Sequence, residues 1–533
     1  MNQLARVQVL FDTVIQGGTL VDGTGSDAVL ADVGIVGDRI TAIGNLQEGS
    51  AKETLVADGL VVAPGFVDVH NHSDGLFLRE THLAAKTAQG FTTEVLAADG
   101  ISYAPVNEQT ARQWMFYLRA LNGLRLEEYR GWESLAEYME CIDGSNVQNA
   151  MTHIPYANLR SMACGWGRGA VDDFQMRQIQ YEVQRGMESG AVGLSTGLDY
   201  IVQCFSTTDE LVEVCRAMAP YGGLYVTHIR YKKGLMEGLQ EAVEIGRRAG
   251  VGVHISHLKP VAGCDAEEVL GFLDSNRGDV DLSFDVYPYM PGSTMLSYLL
   301  PNDVWEDGPL AVLGYLHDPG VRRRFGDGLQ AHRLNLDRIY IAWVASKENA
   351  VHQGTTLASY VEGTKKSAGD ALADLLIEER LGVLCVMQEG DDELIRPFLQ
   401  HDLYMMGSDG IYFEDGAVHP RVYGSVGRLL GSGVRDWGWL TLEDAVYKLS
   451  GWPARRFGMT HRGVVQVGNY ADLVVFDPES ITAPATYEEP HQRTTGTQYV
   501  VVNGQVIVRE GIPEEPQAGP APGRFLRYAT TPS

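Results

Sequence analysis

Hydrophobic and polar positions change rhythm twice along the chain. Before Leu60, short stretches alternate apolar and polar residues: Phe11-Asp-Thr-Val-Ile, Ala31-Asp-Val-Gly-Ile-Val and Arg39-Ile-Thr-Ala-Ile, split by Gly17-Gly18 and Gly37-Asp38. A period of two marks half-buried strands, and the glycine pairs mark turns. The texture returns in Ala471-Asp-Leu-Val-Val-Phe-Asp and in Tyr499-Val-Val-Val-Asn-Gly-Gln-Val-Ile-Val, where Asn503-Gly504 is a hairpin signal. The two ends therefore predict one small β-sandwich domain assembled from residues 1–62 and 461–533. The tail after Gly511 is rich in proline, which predicts loose attachment.

The middle, residues 63–460, reads differently. Compact apolar runs are candidate strands at Phe66–His70, Thr92–Ala97, Ala150–Ile154, Val192–Ser195, Leu224–His228, Gly252–His257, Leu282–Tyr287 and Leu403–Gly407. Helical patterns such as Phe174–Gly190, Thr208–Tyr221 and Met236–Gly250 lie between them. Repeated β–α units predict a parallel sheet, and eight of them predict a closed TIM-like (β/α)8 barrel. The gap from Tyr287 to Leu403 also holds strand-like Arg338–Val344 and Val383–Val386, which leaves the seventh strand open. An insertion of about 50 residues from near Pro291, over 291–340, is expected to form a lid. A second long connection spans Ala104–Asn146.

A length of 533 residues requires two or more domains. The net charge of −27 argues against a nucleic-acid partner, because that affinity rests on cations meeting phosphate. Six cysteines without a Cys-x-x-Cys pair suit a reducing compartment, so a cytoplasmic location is expected. The opening Met1-Asn-Gln-Leu-Ala-Arg lacks the pattern of a signal peptide, and no run of about 18 apolar residues predicts a membrane span.

The candidate chemistry sits at predicted strand ends, where such barrels carry their active sites. His70 and His72 close the first strand, and period two points both the same way. His228 closes Leu224-Tyr-Val-Thr-His, and His257 closes Val253-His-Ile-Ser-His. Asp99 follows Glu94-Val-Leu-Ala-Ala, and Asp409 follows Met405-Met-Gly-Ser. Converging imidazoles suit a metal such as zinc, which acidifies water and polarises a carbonyl. A carboxylate beside that water can take its proton and pass it to a leaving amine, the role that suits Asp409; the alternative is a helix N-cap. His254 falls on the opposite face from His257, which makes it a core or supporting histidine. Arg230 and Lys259 lie two residues beyond His228 and His257, so alternation puts each on the same face as its histidine if the strand continues that far; cations there receive a substrate carboxylate or, for Arg230, form a structural ion pair. Arg421 is a third cation of this kind. Tyr287-Pro-Tyr-Met-Pro-Gly-Ser-Thr294 either lines a pocket or packs.

These stretches, with Gly17-Gly-Thr-Leu-Val-Asp-Gly-Thr-Gly25, Pro64-Gly-Phe-Val-Asp-Val-His-Asn-His72, Gly193-Leu-Ser-Thr-Gly-Leu-Asp-Tyr200, Gly407-Ser-Asp-Gly410, His419-Pro-Arg421 and Gly468-Asn-Tyr-Ala-Asp-Leu-Val-Val-Phe-Asp477, resemble the amidohydrolase superfamily. Within it they resemble the D-aminoacylase, or N-acyl-D-amino-acid deacylase, family, nearly end to end. The resemblance implies a hydrolase of N-acyl-D-amino acids with one or two zinc ions. It places the tighter zinc at His228 and His257, a weaker site at His70 and His72, and the general base at Asp409. Substrate contacts, the carboxylate included, fall at Lys259, Tyr287, Ser293 and Arg421. Asp99 departs from the pattern, since the family places a cysteine ligand there, and aspartate is a harder donor than thiolate. Thr152-His-Ile-Pro-Tyr156 departs too, where the family tends to carry Gly-His. Another amide at the same site (a carbamoyl group, a cyclic amide or a dipeptide) is the near alternative. A non-catalytic barrel serving as a binding module is the distant one. A small-molecule partner is expected, with a homo-oligomer as an open possibility.

Overall fold

The computed structural model describes residues 10–46, 51–261, 264–332, 334–514 and 519–529. Eight parallel strands form the barrel: Phe66–Asp68, Phe91–Leu96, Asn149–Thr152, Gly193–Gly197, Leu224–His228, Gly252–Ile255, Leu282–Val286 and Tyr404–Met406. Nearly every residue in them is buried, as expected for parallel strands covered on both faces. The ring closes where Val69 N–H donates to Met406 O (3.3 Å) and Asp409 N–H donates to His70 O (2.7 Å). On the far side the third strand breaks at His153. Asn149–Thr152 pairs with the second strand, and the short continuation Ile154–Pro155 pairs with the fourth.

Helices Asp173–Glu188, Thr208–Arg216 and Leu235–Ala249 follow successive strands. The side chains of Asp172 and Thr207 cap the first two, satisfying otherwise unpaired amides, and Gly250 ends the third at φ 71°, a left-handed conformation suited to glycine.

The termini build a two-sheet unit. A four-stranded sheet uses residues before 57, and a seven-stranded sheet interleaves Val61–Pro64 with Leu473–Phe476 and Thr497–Val502. Their shared core joins Ile15, Val33, Ile35 and Leu55 to Leu473, Val475 and Val501. Val61–Pro64 runs into the first barrel strand, so the sandwich is anchored directly to the histidine pair.

Two expectations are corrected. The excursion after Leu282–Val286 does not stop near residue 340. Ile339–Val344 and Val383–Met387 pair antiparallel with each other, and Gly292–Met295 pairs with the latter, so the inserted unit extends as far as Met387. The tail is also not loose over residues 519–529. Ala150 N–H donates to Arg524 O, Leu526 N–H to Ala150 O and Tyr528 N–H to Gly190 O, which straps this segment beside the third strand. The part of the tail at 515–518 and 530–533 lies outside the described residues. Among the described residues, no helix is long and apolar enough to cross a membrane.

Candidate active site

The strand ends deliver their side chains through unusual backbone. Asp99 (φ 58°), His257 (φ 38°) and Asp409 (φ 49°) all adopt left-handed conformations just past their strands. Strain of this kind persists where the surroundings enforce it, and it clusters at functional sites. Gly407 permits the close approach of the eighth strand: a Cβ there would lie 2.4 Å from Asp285 Oδ1 and 2.7 Å from His70 Cβ.

Five predicted residues converge. His70 Nε2 lies 3.6 Å from Asp99 Oδ1 and 3.8 Å from Asp409 Oδ1. His72 Nε2 lies 3.7 Å from Asp99 Oδ2 and 3.3 Å from Asp409 Oδ1. His257 Nε2 lies 3.7 Å from Asp99 Oδ1. Donor atoms resolve into two groups, His70–Asp99–His257 and His70–His72–Asp409. His228 Nδ1 is 3.0 Å from His257 Nε2, at the edge of the first group.

The donor set fits a metal. Two ligands about 2.1 Å from one ion at a tetrahedral angle stand about 3.4 Å apart, close to the spacings seen. Both nitrogens of His70, Nδ1 of His72 and Oδ1 of Asp99 are buried without a hydrogen-bond partner. Such atoms are costly unless a ligand completes them. Burial opposes protonation of His70, yet Asp285, Asp99 and Asp409 outweigh it and raise its pKa to about 10, a measure of how much negative charge surrounds this ring. Burial alone would raise the pKa of Asp409, but Arg421, His72, His70 and His257 hold it well below the usual carboxylate range. Asp409 caps no helix; the next one begins at Arg421.

Three supporting residues were not singled out from sequence. Asp285 accepts from His254 Nε2 (2.8 Å) and from the His257 amide (3.0 Å), and its Oδ2 lies 3.6 Å from His70 Nδ1. Asp199 Oδ2 lies 3.4 Å from His228 Nε2 and accepts from Tyr298 Oη at 3.1 Å. Carboxylates behind imidazoles in this way fix ring orientation and tautomer. The available signal for Asp285 was a carboxylate inside the apolar run Leu282-Ser-Phe-Asp-Val. Lys86, fully buried, pairs with Asp68 and lies 3.5 Å from Glu94 beneath the first and second strands.

An open cavity of about 1330 Å³ faces the cluster and is walled by His72, Asp99, His228, His257, Asp409, Lys259, Tyr287 and Ser293. Lys259 Nζ donates to Tyr287 Oη (2.6 Å) and to Met290 O (2.9 Å), and burial with Arg421 nearby lowers its pKa to about 7. Arg421 is fully buried; its Nη1 lies 2.9 Å from Asp409 Oδ2 and its guanidinium sits 4.3 Å from the Tyr287 ring centroid. Its Nε and Nη1 lack a well-aligned hydrogen-bond acceptor. Ser293 Oγ donates to Cys385 O at 2.9 Å.

Arg230 does not belong to this wall. Its Nε donates to Glu241 at 2.8 Å and its other nitrogens donate to the carbonyls of Leu198, Cys204 and Ser206. The strand ends at His228 and a helical turn begins at Tyr231, so alternation no longer carries Arg230 to the face of His228. It is a structural ion pair.

A barrel with imidazoles and carboxylates gathered at its C-terminal mouth, backed by a sandwich from both termini, defines an amidohydrolase enzyme. A model of the amidohydrolase family matches residues 396–508. The chain is 33% identical to the D-aminoacylase of Alcaligenes xylosoxydans xylosoxydans, over 94% of this chain and 95% of the relative. It is 33% identical to the N-acyl-D-glutamate deacylase of that organism, over 98% and 97%. The N-acyl-D-glutamate deacylase from Bordetella bronchiseptica, solved with zinc and a phosphonate mimic of the tetrahedral intermediate, superposes with a TM-score of 0.83 at 30% identity, covering 97% of this chain and 99% of that one. The chain belongs to the D-aminoacylase, or N-acyl-D-amino-acid deacylase, family of amidohydrolases.

Proposed function

We propose that this protein hydrolyses the amide bond of N-acyl-D-amino acids, releasing a carboxylic acid and a D-amino acid. The observation that carries the reading is Asp409: an ionised carboxylate at the mouth of a large cavity, touching both the histidine cluster and a buried arginine. Zinc held by His70, His72, Asp99, His228 and His257 would polarise the acyl carbonyl and acidify the attacking water. Asp409 accepts the proton of that water as it adds to the acyl carbon, then delivers it to the amine nitrogen as the C–N bond breaks. Arg421 keeps Asp409 ionised before the reaction. Lys259, with Tyr287 and Ser293 beside it, receives the substrate carboxylate, and Arg421 on the same tyrosine ring adds positive charge to that wall.

The test is a screen of N-acetyl amino acids in enantiomeric pairs, read by chiral separation of the released amine. Hydrolysis of D substrates is expected, with Asp409→Asn losing 100-fold or more in kcat while keeping its metal. Hydrolysis of neither enantiomer, or near-normal turnover by metal-loaded Asp409→Asn, overturns the reading.

A further inference from the structure

The long connection Ala104–Asn146 forms the helix Glu108–Tyr117 and the turn Leu118–Ala120, where Arg112, Met115, Phe116 and Arg119 recur at helical spacing and share a face. That face lines a second cavity, of about 1010 Å³, which shares no lining residue with the catalytic one. The inserted unit contributes Trp343 and Arg380 to it, and the segment just past Asp409 contributes Phe413. Trp343 and Phe413 stack, with ring centroids 3.9 Å apart at 20°, and Leu76, Leu83, Leu126 and Leu310 extend the apolar lining.

The same lining is rich in arginine. Arg79 is held by Glu128 at 3.0 Å, but the side chains of Arg112, Arg119, Arg380 and Arg493 make no hydrogen bond, ion pair or ring contact among the described residues. Outside this cavity only Arg177 and Arg323 share that condition among the described residues. Glu80, Glu127, Glu414 and Asp415 also line the cavity, yet none forms an ion pair with those four arginines. Arg119 is half-buried and packs against the turn that follows Arg380: a Cβ on Gly382 would lie 3.2 Å from its Nε. Burial lowers the pKa of Arg119, Glu379 opposes this, and Arg380 adds to it. Glu379 is engaged elsewhere, by the Ser346 amide (2.7 Å) and Asn349 Nδ2 (2.6 Å). In a chain of net charge −27, unpaired cations gathered over an apolar lining suit an anion that has an apolar part.

We propose that this cavity binds an organic carboxylate with an apolar body. The guanidinium forks of Arg119 and Arg380 take the head, and Trp343, Phe413 and the neighbouring leucines take the body. The site is separate from the catalytic cavity and does not depend on the functional reading above.

Isothermal titration calorimetry of the purified full chain with octanoate, octanol and inorganic phosphate tests this. Octanoate is expected to bind with a Kd on the order of 0.1–1 mM, and octanol and phosphate at least about 10-fold more weakly. Arg119→Gln with Arg380→Gln is expected to weaken octanoate by about 10-fold or more. Arg380 is exposed, so Arg380→Glu alone, with circular dichroism confirming the fold, gives the same loss by charge reversal. Lys259→Met, in the catalytic cavity, is expected to leave this binding unchanged. No binding by about 10 mM octanoate, equal binding of octanol or phosphate, or unchanged affinity in folded Arg380→Glu overturns the proposal. Loss of binding in Lys259→Met overturns it too, by moving the carboxylate to the catalytic wall.

Discussion

Two clusters of buried charge share the same strand ends and are built on opposite terms. Beneath the first strand, Asp68 takes Lys86, the Ser408 amide (2.8 Å) and the Ser408 hydroxyl, while Glu94 takes the Ser73 hydroxyl and Gln148 (3.1 Å). Every charge there has a partner within the protein. A few ångströms along the chain, His70, His72 and Asp99 keep ring nitrogens and an oxygen with no hydrogen-bond partner at equal burial. Both clusters are composed of ordinary titratable residues, so burial and charge do not tell them apart. Satisfaction does: the first cluster is completed by the protein's own groups, whereas the second presents donor atoms of the kind that hold a metal.

The largest break should come from the complete cluster. Lys86→Met leaves Asp68 and Glu94 buried without their cation and is expected to cost about 3–5 kcal/mol, measured as a fall in the urea midpoint. A change below about 1 kcal/mol would mean that water already shares this site. The incomplete cluster should respond to metal instead. Reloading stripped protein with zinc at 100 times its dissociation constant is expected to raise stability by about 2.7 kcal/mol. An unchanged midpoint would show that the orphaned atoms are completed by something else. Lys259 stands between the two designs, partnered by Tyr287 and Met290 yet open to the cavity. Lys259→Met is expected to raise KM by about 30-fold, equivalent to about 2 kcal/mol for a charged hydrogen bond, with kcat little changed. An equal loss in kcat and kcat/KM would instead assign Lys259 to the transition state.

The barrel was legible because its strands are short, mostly apolar runs separated by helical patterns, and parallel strands buried on both faces leave that trace. His70, His72, Asp99, His257 and Asp409 were legible for the same reason: strand ends share one mouth. The inserted unit was not, since alternation marks Ile339–Val344 as a strand without saying which sheet it joins. Asp285 and Lys86 were hidden by distance, with partners as far off as His70 and Ser408 that no local pattern connects. Arg230 misled because a period-two argument was carried past the end of the strand.

The pairing of Val61–Pro64 with Leu473–Phe476 has a consequence in time as well as in space. A ribosome adding 5–20 residues per second reaches Leu473 on the order of 20–80 s after Pro64. Throughout that interval the strand that carries the chain into His70 has Thr19–Leu20 on one edge but lacks Leu473–Phe476 on the other. Completion of the seven-stranded sheet is thus a late event, possible only once both ends of the chain have been made.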